Sequence, residues 1–344
     1  MSELWRLIPN EVQWQDALAA LPSPHVLQSW SWGNLKSRWG WTAQHWLLDD
    51  DGPACAMLVL RRSFGPLCML YAPKGPVARD MRAYERGLAK LESLGRSQRA
   101  VWVKADGDPP ATSGSAWSAA DLDAARAAFT RRSWRRSAEP VQFRNTMLTD
   151  LRADDEQLLA RMSSKCRYNV RLAEKRGVTV RVVSNLTGND AETLYAMYAE
   201  TGARDGFGIR SREYYLDAWR SMNAVGFIAE HAGQALGGIV LFTHVHRAWY
   251  FYGMSRSVGR EHMPNHLLQW QAMRWARDHG CDTYDWWGAP EQLVENDSMW
   301  GVYRFKQSFG AAFAEGVGAW DYAPFPLLLA LYRRVRKVVN SDGG

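Results

Sequence analysis

The stretch LGGIVLFTHVHRAWYFYGMSRSVGREHMPNHLLQWQAMRWARDHGCDTYDWWG, residues 236–288, decides the fold. Leu236–Thr243 and Ala248–Tyr252 are apolar and aromatic runs with a short break between them, which predicts a hairpin. Residues 253–264 are rich in Gly, Ser and Arg and read as a loop. Asn265 is a good N-cap for a helix carrying Leu268, Trp275 and Ala276. Gly280 ends that helix, and Cys281–Trp286 predicts a strand that runs into Trp287 and Gly288.

The same order occurs in the first half of the chain. Ala54–Leu60 and Leu67–Tyr71 predict a hairpin with Ser63–Pro66 at its turn, and YAPKGP (71–76) is a loop. A helix over 81–94 follows, with Tyr84, Leu88 and Leu91 on one face and Gly95 as the residue just past its end. Ala100–Lys104 is then a strand that stops at Asp106. Hairpin, loop, helix and strand occurring twice predicts two copies of one α/β unit. Each is a mixed sheet of the acyltransferase type, because a crossover helix returns the next strand parallel. The 344 residues suit about two domains. The seam is expected where LTDL gives way to RADDEQLLARM, giving a first domain of 1–152, completed by a C-terminal segment of about 320–344, and a second of 153–319. Residues 26–39 read as a helix, and 107–118 as a polar surface loop.

Composition sets outer bounds. With 47% apolar and 23% charged residues the chain is neither disordered nor collagen-like. The four cysteines form no CxxC pair and read as small buried hydrophobes rather than a disulfide framework. The longest apolar stretch, Phe325–Leu331, is far short of the ~20 residues a spanning helix needs. The start shows no basic-then-apolar leader, so a cytoplasmic location is expected. The formal charge of +6 admits an anionic partner. Five of the 18 tryptophans (Trp30, Trp32, Trp39, Trp41, Trp46) crowd one window, as either core or a stacking surface.

Several chemistries lack their motif: there is no GxxxxGK[ST] loop, no GxGxxG after a strand and no GxSxG elbow. His262 and His266 have a spacing that suits a metal, but Pro264 intervenes and no third ligand is evident, so no metal and no cofactor is expected. A coenzyme A cradle needs closely spaced glycines, whereas SVGREHMPN offers Gly259 followed by bulky Arg260, Glu261 and His262, which would obstruct it. Between Arg161 and Arg181, seven basic residues stand against one acidic residue. On a helix starting near Ser163, Lys165, Arg167, Arg171 and Lys175 form either a solvated face or a stripe for nucleic-acid phosphates. In YRFKQSFG (303–310) a single lysine lies between two phenylalanines, as a snorkelling side chain or as a fixed charge able to stabilise an oxyanion. Leu327, Leu328 and Leu331 followed by Arg333, Arg334, Arg336 and Lys337 read as a terminal helix packed on the first domain, or as one docked on an anionic membrane.

Seven blocks in order resemble the Fem-type peptidoglycan aminoacyltransferases: LQSWSWGNLKSRWGW (27–41), YAPKGP (71–76), SSKCRYNVRLAEKRGV (163–178), TGARDGFGIRS (201–211), YDWWGAP (284–290), GVYRFKQSFGA (301–311) and VGAWDY (317–322). The resemblance implies an α/β fold of two tandem acetyltransferase-like (GNAT-like) domains. No sustained heptad run is present, so the chain resembles the compact members without a coiled-coil arm. It implies transfer of an amino acid from aminoacyl-tRNA to the stem-peptide amine of a wall precursor, either UDP-MurNAc-pentapeptide or its lipid-linked form. A monomer in peripheral contact with the inner membrane face fits that role.

By the matching blocks, Lys36 and Arg204 resemble the cations that meet the acceptor diphosphate, Asp106 resembles the acidic residue facing the acceptor peptide, and Tyr252 rather than Tyr250 resembles the aromatic of the acceptor channel. Phe305 and Lys306 resemble the pair at the reaction centre, and Trp39 and Tyr215 complete the acceptor-binding candidates. Lys74 in YAPKGP departs from the arginine of many relatives and keeps the charge without its fork. Competing readings are an acyl-CoA-dependent N-acyltransferase, an aminoacyl-tRNA–protein transferase and an RNA-binding module without activity.

Overall fold

The structure, a computed structural model, describes residues 5–109 and 117–341, with side chains through Arg334. The middle of the predicted 107–118 loop and the side chains of Arg336 and Lys337 fall outside the described set. The chain divides into two compact units, residues 1–144 with 316–344, and residues 145–315.

The first unit begins with β1 (Trp5–Leu7), α1 (Glu11–Ala19), a 3-10 turn at Val26–Gln28, α2 (Trp30–Arg38), β2 (Thr42–Asp49), β3 (Pro53–Phe64) and β4 (Leu67–Ala72). β5 (Val77–Ala78), α3 (Met81–Ser97), β6 (Ala100–Ala105), α4 (Ala119–Arg131) and β7 (Arg135–Arg136) follow. The predicted hairpin is β3 against β4, and β6 returns parallel to β4 after α3. The helix expected over 26–39 is broken at Ser29, whose hydroxyl caps α2 by accepting from the Trp32 N–H. Of the crowded tryptophans, Trp32 is buried and the other four are half-buried. Cations cover the faces of three, with Lys36 over Trp32 at 4.5 Å, Arg62 over Trp41 at 5.7 Å and Lys90 over Trp46 at 4.1 Å. The cluster is therefore core on one side and cation-covered on the other.

The second unit starts with β8 (Thr146–Asp150), α5 (Asp155–Arg161), α6 (Ser164–Lys175), β9 (Thr179–Val183), α7 (Gly188–Asp205) and α8 (Arg212–Ser221). β10 (Val225–His231), β11 (Gln234–His244), β12 (Arg247–Ser255), α9 (Pro264–Asp278), β13 (Thr283–Asp285), α10 (Trp300–Ser308) and β14 (Ala312–Ala314) complete it. Its sheet runs β14-β8-β13-β12-β11-β10-β9. Here too an antiparallel hairpin, β11–β12, is followed by a crossover helix, α9, and a parallel strand, β13. The chain then re-enters the first unit through β15 (Trp320–Tyr322), which lies between β6 and β7, and ends in α11 (Pro326–Ser341). The two-fold use of one mixed α/β unit is thus the architecture. The longest of the described helices, α7, has 18 residues, so no coiled-coil arm interrupts it.

Two predicted helix ends are corrected. Asn265 does not cap α9: the cap is Met263 at φ 57°, and Pro264 occupies the first turn, where its missing N–H costs nothing. Gly95 does not end the first-unit helix, because α3 continues to Ser97 and turns at Arg99 (φ 56°). Gly95 is buried inside α3, and a Cβ there would lie 2.7 Å from both Pro324 Cγ and Val103 Cγ2. The glycine is therefore required by close approach of β6 and the chain before α11. Gly→Ala inside a helix ordinarily stabilises by about 1 kcal/mol. Here the overlap should reverse the sign, so Gly95→Ala should lose about 1–3 kcal/mol and lower the unfolding midpoint. A raised midpoint would contradict this packing.

Candidate functional site

The second unit contains a fork. β12 pairs in parallel with β13 up to Trp249↔Asp285 and then parts from it. Residues 286–289 stay with the other neighbour, since the Trp286 N–H bonds Met147 O and the Ala289 N–H bonds Asn145 O. β12 meanwhile continues to Ser255 along β11. The carbonyls of 286–288 are left facing away from any ladder, and buried carbonyls must find donors.

Lys306, from α10, supplies them. Its Nζ donates to the carbonyls of Trp286 (2.7 Å), Trp287 (2.6 Å) and Gly288 (2.6 Å), and the residue is 4% exposed. Successive carbonyls of an extended strand point to opposite sides. Three can converge here because Trp287 takes the left-handed conformation, φ 55°. Asp285 fixes that turn: its Oδ1 accepts from the Trp287 N–H at 2.9 Å and from Thr146 Oγ1 at 2.5 Å. Burial pushes the Lys306 ammonium down to about 7, and Asp285 pulls in the opposite direction. Asp285 was not singled out from sequence, although its place in YDWWG, two residues before the turn, is the signal for such an Asx turn.

A bulge on β12 sorts the aromatics around this fork. The register shifts so that Tyr252 faces Val240 and Tyr250 faces Leu241, leaving Phe251 as the extra residue. Tyr250 and Tyr252, two apart, therefore point to opposite faces. Tyr250 lies on the α9 side, with Lys306 Nζ 6.0 Å from its ring centroid. A Cβ on Gly253 would fall 1.8 Å from the Tyr250 hydroxyl, so glycine there keeps Tyr250 in place. Tyr252 instead joins Tyr198, Tyr215 and Trp219 from α7 and α8, at centroid distances of 5.5, 5.5 and 6.1 Å. The structure thus groups Tyr252 with Tyr215 in an aromatic cluster and brings Tyr250 to Lys306. Sequence alternation alone could not separate the two tyrosines, because the bulge is a property of the paired strands.

Two adjoining cavities open beside the fork. The first, about 360 Å³, is lined by Thr201, Arg204, Tyr250, Gln269, Phe305 and Lys306 among others. The second, about 430 Å³, is lined by Arg204, Arg256, Arg260, Asn265, His266 and Phe305 among others. Arg204 borders both, held by Ser255 O at 2.7 Å. The second cavity adjoins the loop that carries Arg260, Glu261 and His262. Gly259 at φ 74° turns the chain so that 260–262 form a 3-10 turn beside open space, with Arg260 on its wall. Arginines line this cavity where closely spaced glycines are absent. His266 sits between Phe305 (5.2 Å) and Phe309 (5.9 Å), and burial, with Lys165 adding, lowers it to about 4. It is therefore a neutral wall at physiological pH.

Ser163 caps α6 as expected. Lys165, Arg171 and Lys175 are exposed, whereas Arg167 is half-buried with its guanidinium on the carbonyls of Leu159 and Met162 at the end of α5. Three of the four stripe residues are thus available to a ligand and the fourth joins two helices.

In the first unit, Lys36 and Trp39 lie on and just after α2. Asp106 follows β6 and is 2% exposed. Its Oδ2 accepts from Tyr71 Oη at 2.7 Å and its Oδ1 from the Lys74 N–H at 2.5 Å. Burial raises its pKa against the pull of Lys74. Lys74 itself is buried, its Nζ 3.2 Å from Phe143 O and 3.5 Å from Asp108 Oδ2. The Gly107 N–H bonds Gly75 O at 3.0 Å, so YAPKGP and the end of β6 form one locked node.

Comparison with known proteins agrees with this architecture. The family model of the FemAB family matches residues 14–221 and 219–337. A Lipid II:glycine glycyltransferase of Staphylococcus haemolyticus (strain JCSC1435) is 24% identical over 400 residues, covering 93% of this chain and 92% of that protein. The one of Staphylococcus aureus (strain USA300) is 24% identical, covering 92% and 91%. The crystal structure of FemX superposes with a TM-score of 0.82 at 21% identity, covering 96% of this chain and 99% of that one. A tandem GNAT protein from the clavulanic acid biosynthesis pathway gives 0.56 at 14%, covering 94% and 99%. With both sheets built on one tandem GNAT-like plan and the family model spanning nearly the whole chain, this protein belongs to the FemAB family.

Proposed function

We propose that this chain is an aminoacyltransferase that moves an amino acid from aminoacyl-tRNA to the stem-peptide amine of a lipid-linked peptidoglycan precursor, forming an interpeptide bridge. The observation that carries the reading is the buried Lys306 at the β12–β13 fork, lining a cavity that shares Arg204 and Phe305 with an arginine-lined one. The lipid-linked acceptor draws support from the staphylococcal relatives, which are named for lipid II. The tRNA donor draws support from Arg256 and Arg260, at and beside the loop where a coenzyme A enzyme would present glycines, and from the exposed Lys165, Arg171 and Lys175.

In the transfer, the neutral acceptor amine attacks the ester carbonyl. A C–N bond forms, the C–O bond to the terminal ribose breaks, and the amine proton ends on the released ribose hydroxyl. Negative charge develops on the carbonyl oxygen. Lys306, with its N–H groups on Trp286, Trp287 and Gly288, acts as a fixed cation in a low-dielectric wall and holds the fork open. Phe305 and Tyr250 exclude water beside it. Asp106, with both oxygens engaged by Tyr71 and Lys74, is better suited to shaping its loop than to accepting a proton.

The reading is tested by incubating the protein with lipid-linked pentapeptide and total tRNA charged with labelled amino acids. Label should enter the acceptor and be abolished by ribonuclease. Transfer from an acyl-coenzyme A that ribonuclease leaves untouched would overturn the donor assignment. Lys306→Met should lose roughly 10²–10³-fold in kcat/KM and also lower the unfolding midpoint, because three carbonyls lose their donor. Because the cation is the active form, wild-type kcat/KM should show a falling limb near pH 7 as Lys306 deprotonates. That limb should be missing from the residual activity of the variant. Arg256→Glu with Arg260→Glu should raise KM for aminoacyl-tRNA roughly tenfold or more and flatten its salt dependence, with kcat little changed.

A further inference from the structure

α11 packs on the first unit through one face. Leu328, Leu329 and Tyr332 are half-buried, and the Tyr332 ring lies 5.5 Å from Phe64 and 5.3 Å from Trp102. The opposite face is left to solvent. Leu327 is 88% exposed and Leu331, four residues on and so one turn away, is 60% exposed. Leu327 is the most exposed large hydrophobic among the described residues. Phe325, just before the helix, is exposed as well. Arg334 falls three residues after Leu331, on the same face, and Arg333 is exposed on the flank of the helix, about 100° round from it. A pair of leucines standing free beside one guanidinium, with a second on the flank, does not suit water. It does suit a boundary that is apolar below and anionic above.

We infer that the exposed face of α11 is a membrane-docking surface, with Leu327 and Leu331 entering the acyl boundary of an anionic phospholipid bilayer and Arg333 and Arg334 meeting its headgroups. An amphipathic helix of this kind binds in the interface plane, by apolar area and by attraction to anionic lipid together. No helix among the described residues is long and apolar enough to cross a membrane. The inference rests on the lipid-linked acceptor for its purpose, not for its geometry: such an acceptor is confined to a bilayer, and docking converts a search in volume into one in a plane.

The test uses the full chain and phospholipid vesicles without any precursor, so it does not depend on the transfer reaction. The chain should co-sediment with phosphatidylcholine–phosphatidylglycerol vesicles at low salt, weakly with phosphatidylcholine alone, and less as salt rises. Leu327→Glu with Leu331→Glu should weaken binding roughly tenfold or more, and so should Arg333→Glu with Arg334→Glu, with unchanged unfolding midpoints. Both variants should transfer normally to a soluble nucleotide-linked acceptor, if the protein uses it, and lose rate on acceptor embedded in vesicles. Absence of binding to anionic vesicles, or equal binding by the double-glutamate variants, would overturn the proposal. So would self-association that the Leu327/Leu331 variant abolishes while the wild type ignores vesicles, since the face would then serve a second copy of the chain.

Discussion

The second unit depends on one interaction, the grip of a buried lysine on three consecutive carbonyls. Where β12 and β13 part, the backbone loses its ladder, and Trp286, Trp287 and Gly288 would each leave a buried acceptor unsatisfied. Parting two strands is therefore costly unless something replaces the missing hydrogen bonds. Lys306 replaces them with a single side chain, and in doing so places a positive charge at the cavity wall. Opening the sheet and charging the site are the same structural event. The left-handed Trp287 and the Asp285 carboxylate that holds it are the local conditions for that convergence.

The first unit shows what the same plan looks like without the opening. β4 and β6 pair from Cys68↔Ala100 to Ala72↔Ala105, and the contact continues beyond the strands as Gly107 N–H to Gly75 O. The space a cavity would need is occupied by backbone: a Cβ on Gly107 would lie 2.3 Å from the Gly75 carbonyl carbon. Tyr71, Asp106 and Lys74 seal the node with buried hydrogen bonds. Among the described residues, β4 and β6 stay joined past their ends, whereas β12 and β13 part after Asp285.

Much of this was legible in the residues. Hairpin, crossover helix and parallel strand follow from apolar runs of the right length and from their order, and they recur because the chain repeats the plan. Ser163 at the head of α6 was readable because a serine cap needs no tertiary partner. What was not legible depends on partners distant in sequence. Gly95 resembles a helix terminator, yet it is a glycine inside α3 that Pro324 and Val103 approach closely. Asn265 has the chemistry of a cap, but the left-handed Met263 and Pro264 start the helix before it. The YFYG string gives no sign of the bulge that sends Tyr250 to Lys306 and Tyr252 to Tyr215. Arg260 reads as bulk in a loop until Gly259 turns it into the wall of a cavity. Lys306 could be named by resemblance, but its carbonyl cage, twenty residues upstream at Trp286, is visible in three dimensions alone.

The central claim is that Lys306 is a buried cation poised by that cage, and its most direct measurement is the titration of its own nitrogen. With lysines labelled at Cε and Nζ, wild-type protein compared with Lys306→Met assigns one resonance. The account predicts a midpoint near 7 for that resonance, set by burial. A midpoint at the ordinary lysine value of 10.5 would contradict the claim that burial tunes this cation, and the falling limb near pH 7 would go with it.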